Sequence, residues 1–358
     1  MHHVAARRAI PAILQGTGFG ERALALALAA QLERLVPEPM RARLIDRAAA
    51  LPNDDAPVHV GPAAIAPIPV DQLQLCTQLA PLCVQHPAQI GLQLACLDAL
   101  ADLWPHVSSD ERPHLRARFI NSVIARQAPA GSMLTTTVLR EWQRDLPTGM
   151  GESPNVAALK GVIVEASPQD AYRALAEHLG NRMDIPTLSW VLGALATSLL
   201  CNLRDRPGHA LQALLGTVAC ERITPWTPPE DLAVLVSQVA YQLWWTRNRA
   251  GLPQVRACLD TAPRPLADAV HGGDLTTVQR AARNVAKTPE AFWGQAWRLL
   301  DEWIDLDDRR FLHALYASAA VARRTGPNAI SPDDAAAWAT VLAEMVYDGT
   351  STAIGVSR

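Results

Sequence analysis

Two histidines stand at matched places in this chain and supply its most chemically suggestive pattern. His209 lies in Pro207-Gly208-His209-Ala210-Leu211, and His313 lies in Phe311-Leu312-His313-Ala314-Leu315. Each follows a charged loop and opens an apolar helical stretch. Imidazole is the usual general base near neutral pH and the commonest metal ligand. A pair facing one interior would therefore suit proton abstraction or ligation. His59, flanked by Val58 and Val60 in a proline-dense connection, is a third candidate, because loops on rigid scaffolds often carry function. Tyr241, Trp244 and Trp245 gather beside Arg247 at the end of another helical run, a composition suited to one wall of an apolar ligand pocket.

Each of these residues also has a structural reading. A histidine at a helix start can hydrogen-bond the preceding loop, and tryptophans at helical spacing commonly fill a core. Glu111-Arg112-Pro113-His114 is a lone Glu-x-x-His string where a di-iron bundle uses two, and no HExxH or GxSxG string occurs. A metal centre built from His59, His209 and His313 is conceivable on residue type alone, and no motif names a cofactor.

The elements that must position these residues are helical. From Val70 to Gln85, from Ala88 to Trp104 and from Glu111 to Gln127, apolar residues recur with helical period. A break at His86-Pro87 separates the first two runs. A long apolar helix is predicted from Asp184 to Leu203, a second opens at Pro207, and a third follows Pro228-Pro229-Glu230-Asp231. Proline suits the first turn because its missing N–H would have no intrahelical partner there. The Pro52 to Pro69 tract forbids a continuous helix and is read as an extended, packed connection.

A pattern recurs at a spacing near one hundred residues. Ile185-Pro186-x-x-x-Trp190 matches Thr288-Pro289-x-x-x-Trp293 at an offset of 103, and the His-Ala-Leu strings match at 104. A period of this length predicts duplication of a small multi-helix unit rather than a short-repeat solenoid. A fainter third copy relates Asp110-Glu111-Arg112-Pro113-His114 to Asp205-Arg206-Pro207-Gly208-His209. The expectation is an all-α, multi-helix bundle, with an N-terminal helical region over 1–150 and a duplicated helical domain over 151–358, the two free to form one continuous domain.

Composition bounds the remaining classes. The 358 residues are 49% hydrophobic and 19% charged, with a net charge of -3, which describes a folded chain with a generous core. No basic stripe interleaved with aromatics is present, so nucleic acid is not an expected partner. The longest uncharged run, Ile185 to Leu203, is broken by Thr187, Ser189, Thr197, Ser198 and Asn202 and reads as a core helix rather than a membrane span. The amino end lacks a long apolar h-region, so a cleaved signal peptide is not expected. Gly16-Thr17-Gly18-Phe19-Gly20 invites a dinucleotide reading, but Glu21 occupies the third glycine's place and no alternation of strands and helices follows. Cys76, Cys83, Cys96, Cys201, Cys220 and Cys258 form no zinc spacing; free, buried thiols in a reducing cytoplasm are expected.

The strings RPGHALQALLGTVA and RRFLHALYASAAVA, with the long internal similarity, resemble the large helical oxygenase-type proteins around questin oxidase. The resemblance covers residues 157 to 326. It implies an oxidoreductase, monooxygenase-like tailoring step of secondary metabolism on an aromatic or polyketide-like molecule. On that expectation His209 and His313 act as base or ligands, and Trp244, Trp245, Arg247 and His59 shape the substrate wall. The competing expectation is a non-catalytic helical scaffold for another protein. Neither reading fixes the oligomeric state.

Overall fold

The structure is a computed structural model. It describes residues 67–85, 90–124, 207–250, 265–272 and 275–285, with isolated positions at 42–43, 46, 167, 169–170, 173–174, 192, 295, 298 and 342–343. Among the described residues there are seven α-helices and no strand: α1 (Gln72–Gln85), α2 (Ile90–Leu103), α3 (Arg112–Phe119), α4 (Pro207–Ile223), α5 (Pro229–Ala250), α6 (Leu266–Gly272) and α7 (Leu275–Val285). The fold is all-α, as the periodicity predicts. No described helix is long and apolar enough to cross a membrane. The long helix predicted at 184–203 and the second copy around His313 lie outside the described residues, apart from the isolated positions. The same holds for the glycine-rich turn at 16–20.

Local sequence explains where several helices begin. Pro207 and Pro229 are the first residues of α4 and α5, and Pro113 stands in the first turn of α3. Asp71 opens α1 by accepting the Gln74 N–H at 2.8 Å through its carboxylate. Two helix-to-helix corners share one construction. α2 runs into a 3₁₀ turn, Trp104–His106, and α4 into another, Thr224–Trp226; each has a proline in its first positions. The residues that follow, Val107 (ψ 130°) and Thr227 (ψ 133°), are extended and redirect the chain.

The core is a four-helix arrangement centred on α2. Its sequence, IGLQLACLDALADL, is apolar on nearly every side, and every residue from Ile90 to Leu103 except Asp102 is buried. α2 packs most extensively on α4, α4 on α5, and α1 closes the ring against α2 and α5. Specific contacts fix the directions. Gly216 of α4 faces Gly91 of α2, and six residues further on Arg222 reaches Asp98 and Asp102, so α2 and α4 run parallel. Thr227 pairs with Cys76 and Gln238 with the Val84 carbonyl, so α5 runs parallel to α1. α4 and α5, joined through residues 224–228, form an antiparallel hairpin. Among the described residues, α1 and α2 share one core with α4 and α5.

Gly216 sets the spacing of this core. A Cβ there would stand 2.8 Å from Val239 Cγ2 and 3.2 Å from Gly91 Cα. The two glycines let the α2 and α4 backbones approach where side chains would hold them apart. Near the same level Gln238 donates Nε2–H to the Val84 carbonyl at 3.1 Å, serving one of the last carbonyls of α1.

Candidate functional site

His209 is the third residue of α4, in its first turn, as the sequence predicts. Trp244, Trp245 and Arg247 lie in the last two turns of α5. The hairpin register relates the two sets. Val239 meets Gly216, so in antiparallel helices His209, seven residues before Gly216, stands level with Thr246, seven after Val239. His209 therefore occupies the same level as Trp245 and Arg247, on the neighbouring helix.

This level lies beyond the rest of the described core. The Val84 end of α1 and the Ile90 end of α2 are level with Gln238 and Gly216. With a rise of about 1.5 Å per residue, His209 sits roughly 10 Å past that edge. The first two turns of α4 and the last two or three of α5 thus extend past the α1–α2 pair. Tyr241 and Trp244, three apart and so on one face of α5, stack with centroids 5.9 Å apart and an interplanar angle of 24°. Trp244 is half-buried, between the fully buried Leu243 and the end of the helix. Arg247 follows Trp244 by another three residues, on the same face of the helix. His59 and His313 lie outside the described residues, so the meeting of His209 with His313 falls there too.

A second cluster, which the sequence reading does not single out, sits inside the core at the opposite end. Asp98 of α2 is fully buried, and the Arg222 Nε–H donates to both of its carboxylate oxygens at 2.8 Å. The Arg222 Nη2 donates to Asp102, one turn along α2. A buried carboxylate is tolerable only with such a partner. The signal available in the sequence is the pair Asp98 and Asp102, spaced four apart in an otherwise apolar helix, which demands a cation from elsewhere.

Four thiols lie in the same core, and Cys76 among them feels the Asp98 charge. Cys76, Cys83, Cys96 and Cys220 are free and buried, as expected for them; Cys201 and Cys258 lie outside the described residues. Burial pushes the Cys76 thiol up to about 12, helped by the Asp98 charge and opposed by a hydrogen bond with Thr227. Burial raises Cys83 further, with Cys76, Cys96 and Cys220 adding to the effect, and burial alone raises Cys220. Thiols so held are protonated and act as small apolar side chains, not nucleophiles. Among the described residues no group of three or more His, Cys, Asp or Glu side chains is arranged to hold a metal ion.

The chemistry available is therefore divided. The Asp98–Arg222–Asp102 cluster with its protonated thiols locks helices together. At the far end of the α4–α5 hairpin, positions 209, 245 and 247 stand at one level. Compared with known protein families, curated proteins and solved structures, the chain finds no match in any of the three.

Proposed function

We propose that this chain binds an apolar or aromatic small molecule at the far end of the α4–α5 hairpin and acts on it in an oxygenase-type step. His209, with His313 as its sequence counterpart, is the base or ligand; Trp244 and Trp245 form the aromatic wall, and Arg247 receives an acidic or hydroxyl group of the ligand. His59 belongs to the same wall. The observation that supports this reading is the hairpin register, which sets the His209 position level with Trp245 and Arg247. An indole face beside a guanidinium suits a planar ring bearing an oxygen substituent. The resemblance of RPGHALQALLGTVA to questin-oxidase-like strings supplies the reaction class.

The test uses 1-naphthol as an aromatic hydroxyl probe, with tryptophan quenching for binding and oxygen uptake for turnover. Trp244→Ala and Trp245→Ala are each expected to weaken binding about tenfold, the loss of one well-packed aromatic contact. His209→Ala is expected to keep binding and abolish oxygen uptake. Unaltered binding in both tryptophan variants would refute the site.

One observation favours a second reading, the helical scaffold. α3 opens with Arg112-Pro113-His114 much as α4 opens with Pro207-Gly208-His209, and His114 is exposed to solvent. On this reading the histidines are helix-start fixtures. Unchanged oxygen uptake with a lowered melting temperature in the double variant His209→Ala with His313→Ala would select it.

A further inference from the structure

Residues 67–70, Pro-Ile-Pro-Val, lead into α1 over side chains of α1, the 3₁₀ turn and α3. The Pro67 carbonyl accepts from Gln78 Nε2 at 2.9 Å and from Arg116 Nη1 at 3.3 Å. The Pro69 carbonyl accepts from the Trp104 indole N–H at 3.2 Å. The Val70 carbonyl accepts from Arg112 Nη1 at 3.0 Å. The Arg112 guanidinium lies 5.5 Å from the centre of the Trp104 ring and also donates to the Trp104 carbonyl. The two prolines bring carbonyl acceptors and no N–H, and the side chains that meet them bring donors. The Val70 N–H, which would have no acceptor among those donors, goes instead to Gln74 Oε1.

A buried tryptophan offering its N–H to a proline carbonyl, flanked by other donors, is the chemistry by which proteins bind extended proline-rich peptides. Trp104 and Pro69 are buried, while Pro67 and Val70 are exposed, so the segment lies at the surface with its middle anchored. Its carbonyls are held by side chains, and a segment held this way opens locally more readily than the helices beneath it.

We propose that the Gln78–Trp104–Arg112–Arg116 cluster is a recognition site for a proline-x-proline peptide of a partner protein, and that Pro67–Val70 is its intramolecular occupant. The tethered segment competes at high effective concentration, so a peptide in trans binds the intact chain weakly and gains affinity when the segment is loosened.

The experiment measures fluorescence anisotropy of labelled Ala-Pro-Ile-Pro-Val with the full chain. Pro67→Gly with Pro69→Gly loosens the cis segment without changing the cluster. The peptide is expected to bind this variant at least about tenfold tighter than the unaltered chain. Adding Trp104→Phe, which keeps a ring but removes the N–H, is expected to abolish the gain. Equal binding by the two chains, or equal binding of Ala-Gly-Ile-Gly-Val, overturns the proposal. A measurement on the unaltered chain guards against misfolding of the variant. Excess Ala-Pro-Ile-Pro-Val must speed hydrogen exchange at the Ile68 and Val70 amides, and unchanged exchange there also overturns the proposal.

Discussion

Replacing Gly216 by alanine sets two opposed effects against each other at the tightest point of the core. In a helix interior alanine is favoured over glycine by about 0.8–1 kcal/mol. Against this, the new methyl would stand 2.8 Å from Val239 Cγ2 and 3.2 Å from Gly91 Cα, where carbon atoms prefer about 3.5–4.0 Å. Neither neighbour yields easily. Val239 is fully buried and β-branched, with one favoured rotamer in a helix, and Gly91 presents backbone. Relief requires α4 to move away from both α5 and α2, and overpacking of this kind costs about 1–3 kcal/mol. The expected net effect is destabilisation of up to about 2 kcal/mol. Val239→Ala removes both opposing methyls at its own cost of roughly 1.6 kcal/mol of lost burial. In that background only the 3.2 Å contact with Gly91 remains, so Gly216→Ala should lose most of its cost, leaving a favourable coupling of about 1–3 kcal/mol. Urea unfolding followed by far-UV circular dichroism gives the four midpoints, with constant slopes as the check on two-state behaviour. A Gly216→Ala protein with a raised midpoint, additive with Val239→Ala, would refute the close approach of α4 and α5 at Gly216.

Arg222→Met should cost about 3–5 kcal/mol, because it strips the guanidinium from a fully buried Asp98; the double variant with Asp98→Leu should recover most of that loss in the same unfolding assay. The thiols make stability fall in alkali. The folded pKa values of Cys76, Cys83 and Cys220 lie above the unfolded 9.0, so the contribution is complete below pH 9 and is lost as pH rises toward 12 for Cys76. Each such thiol steepens the decline by about 1.4 kcal/mol per pH unit, and Cys76→Ala should flatten it in urea melts taken between pH 9 and 11. A thiol reagent at pH 8 should leave Cys76, Cys83, Cys96 and Cys220 unmodified in the native chain and label them in guanidinium chloride. Trp104→Phe, which leaves the Pro69 carbonyl without its indole donor, should lower stability by about 1–3 kcal/mol, read as a lower melting temperature.

Much of the helical layout is legible in the residues because it follows from neighbours in sequence. Proline in a first helical turn marks the start of α3, α4 and α5, and the break at His86-Pro87 separates α1 from α2. From sequence the core helix is expected at 185–203, outside the described residues apart from position 192, and only packing shows α2 as the centre of the described core. The free state of four cysteines follows from their spacing and leucine-rich surroundings. The candidate site was legible only as types: a histidine opening a helix, and tryptophans and an arginine closing another.

What joins those types came from tertiary structure. Nothing in the local sequence says that α2 and α4 lie parallel, that Arg222 answers Asp98 from 124 residues away, or that Gly216 rests on Gly91. Helix starts depend on backbone groups within one turn, so the sequence by itself determined them. Pairing and register depend on which surfaces interlock across the folded chain. A single contact, Gly216 against Val239, therefore decides that His209 stands level with Trp245 and Arg247.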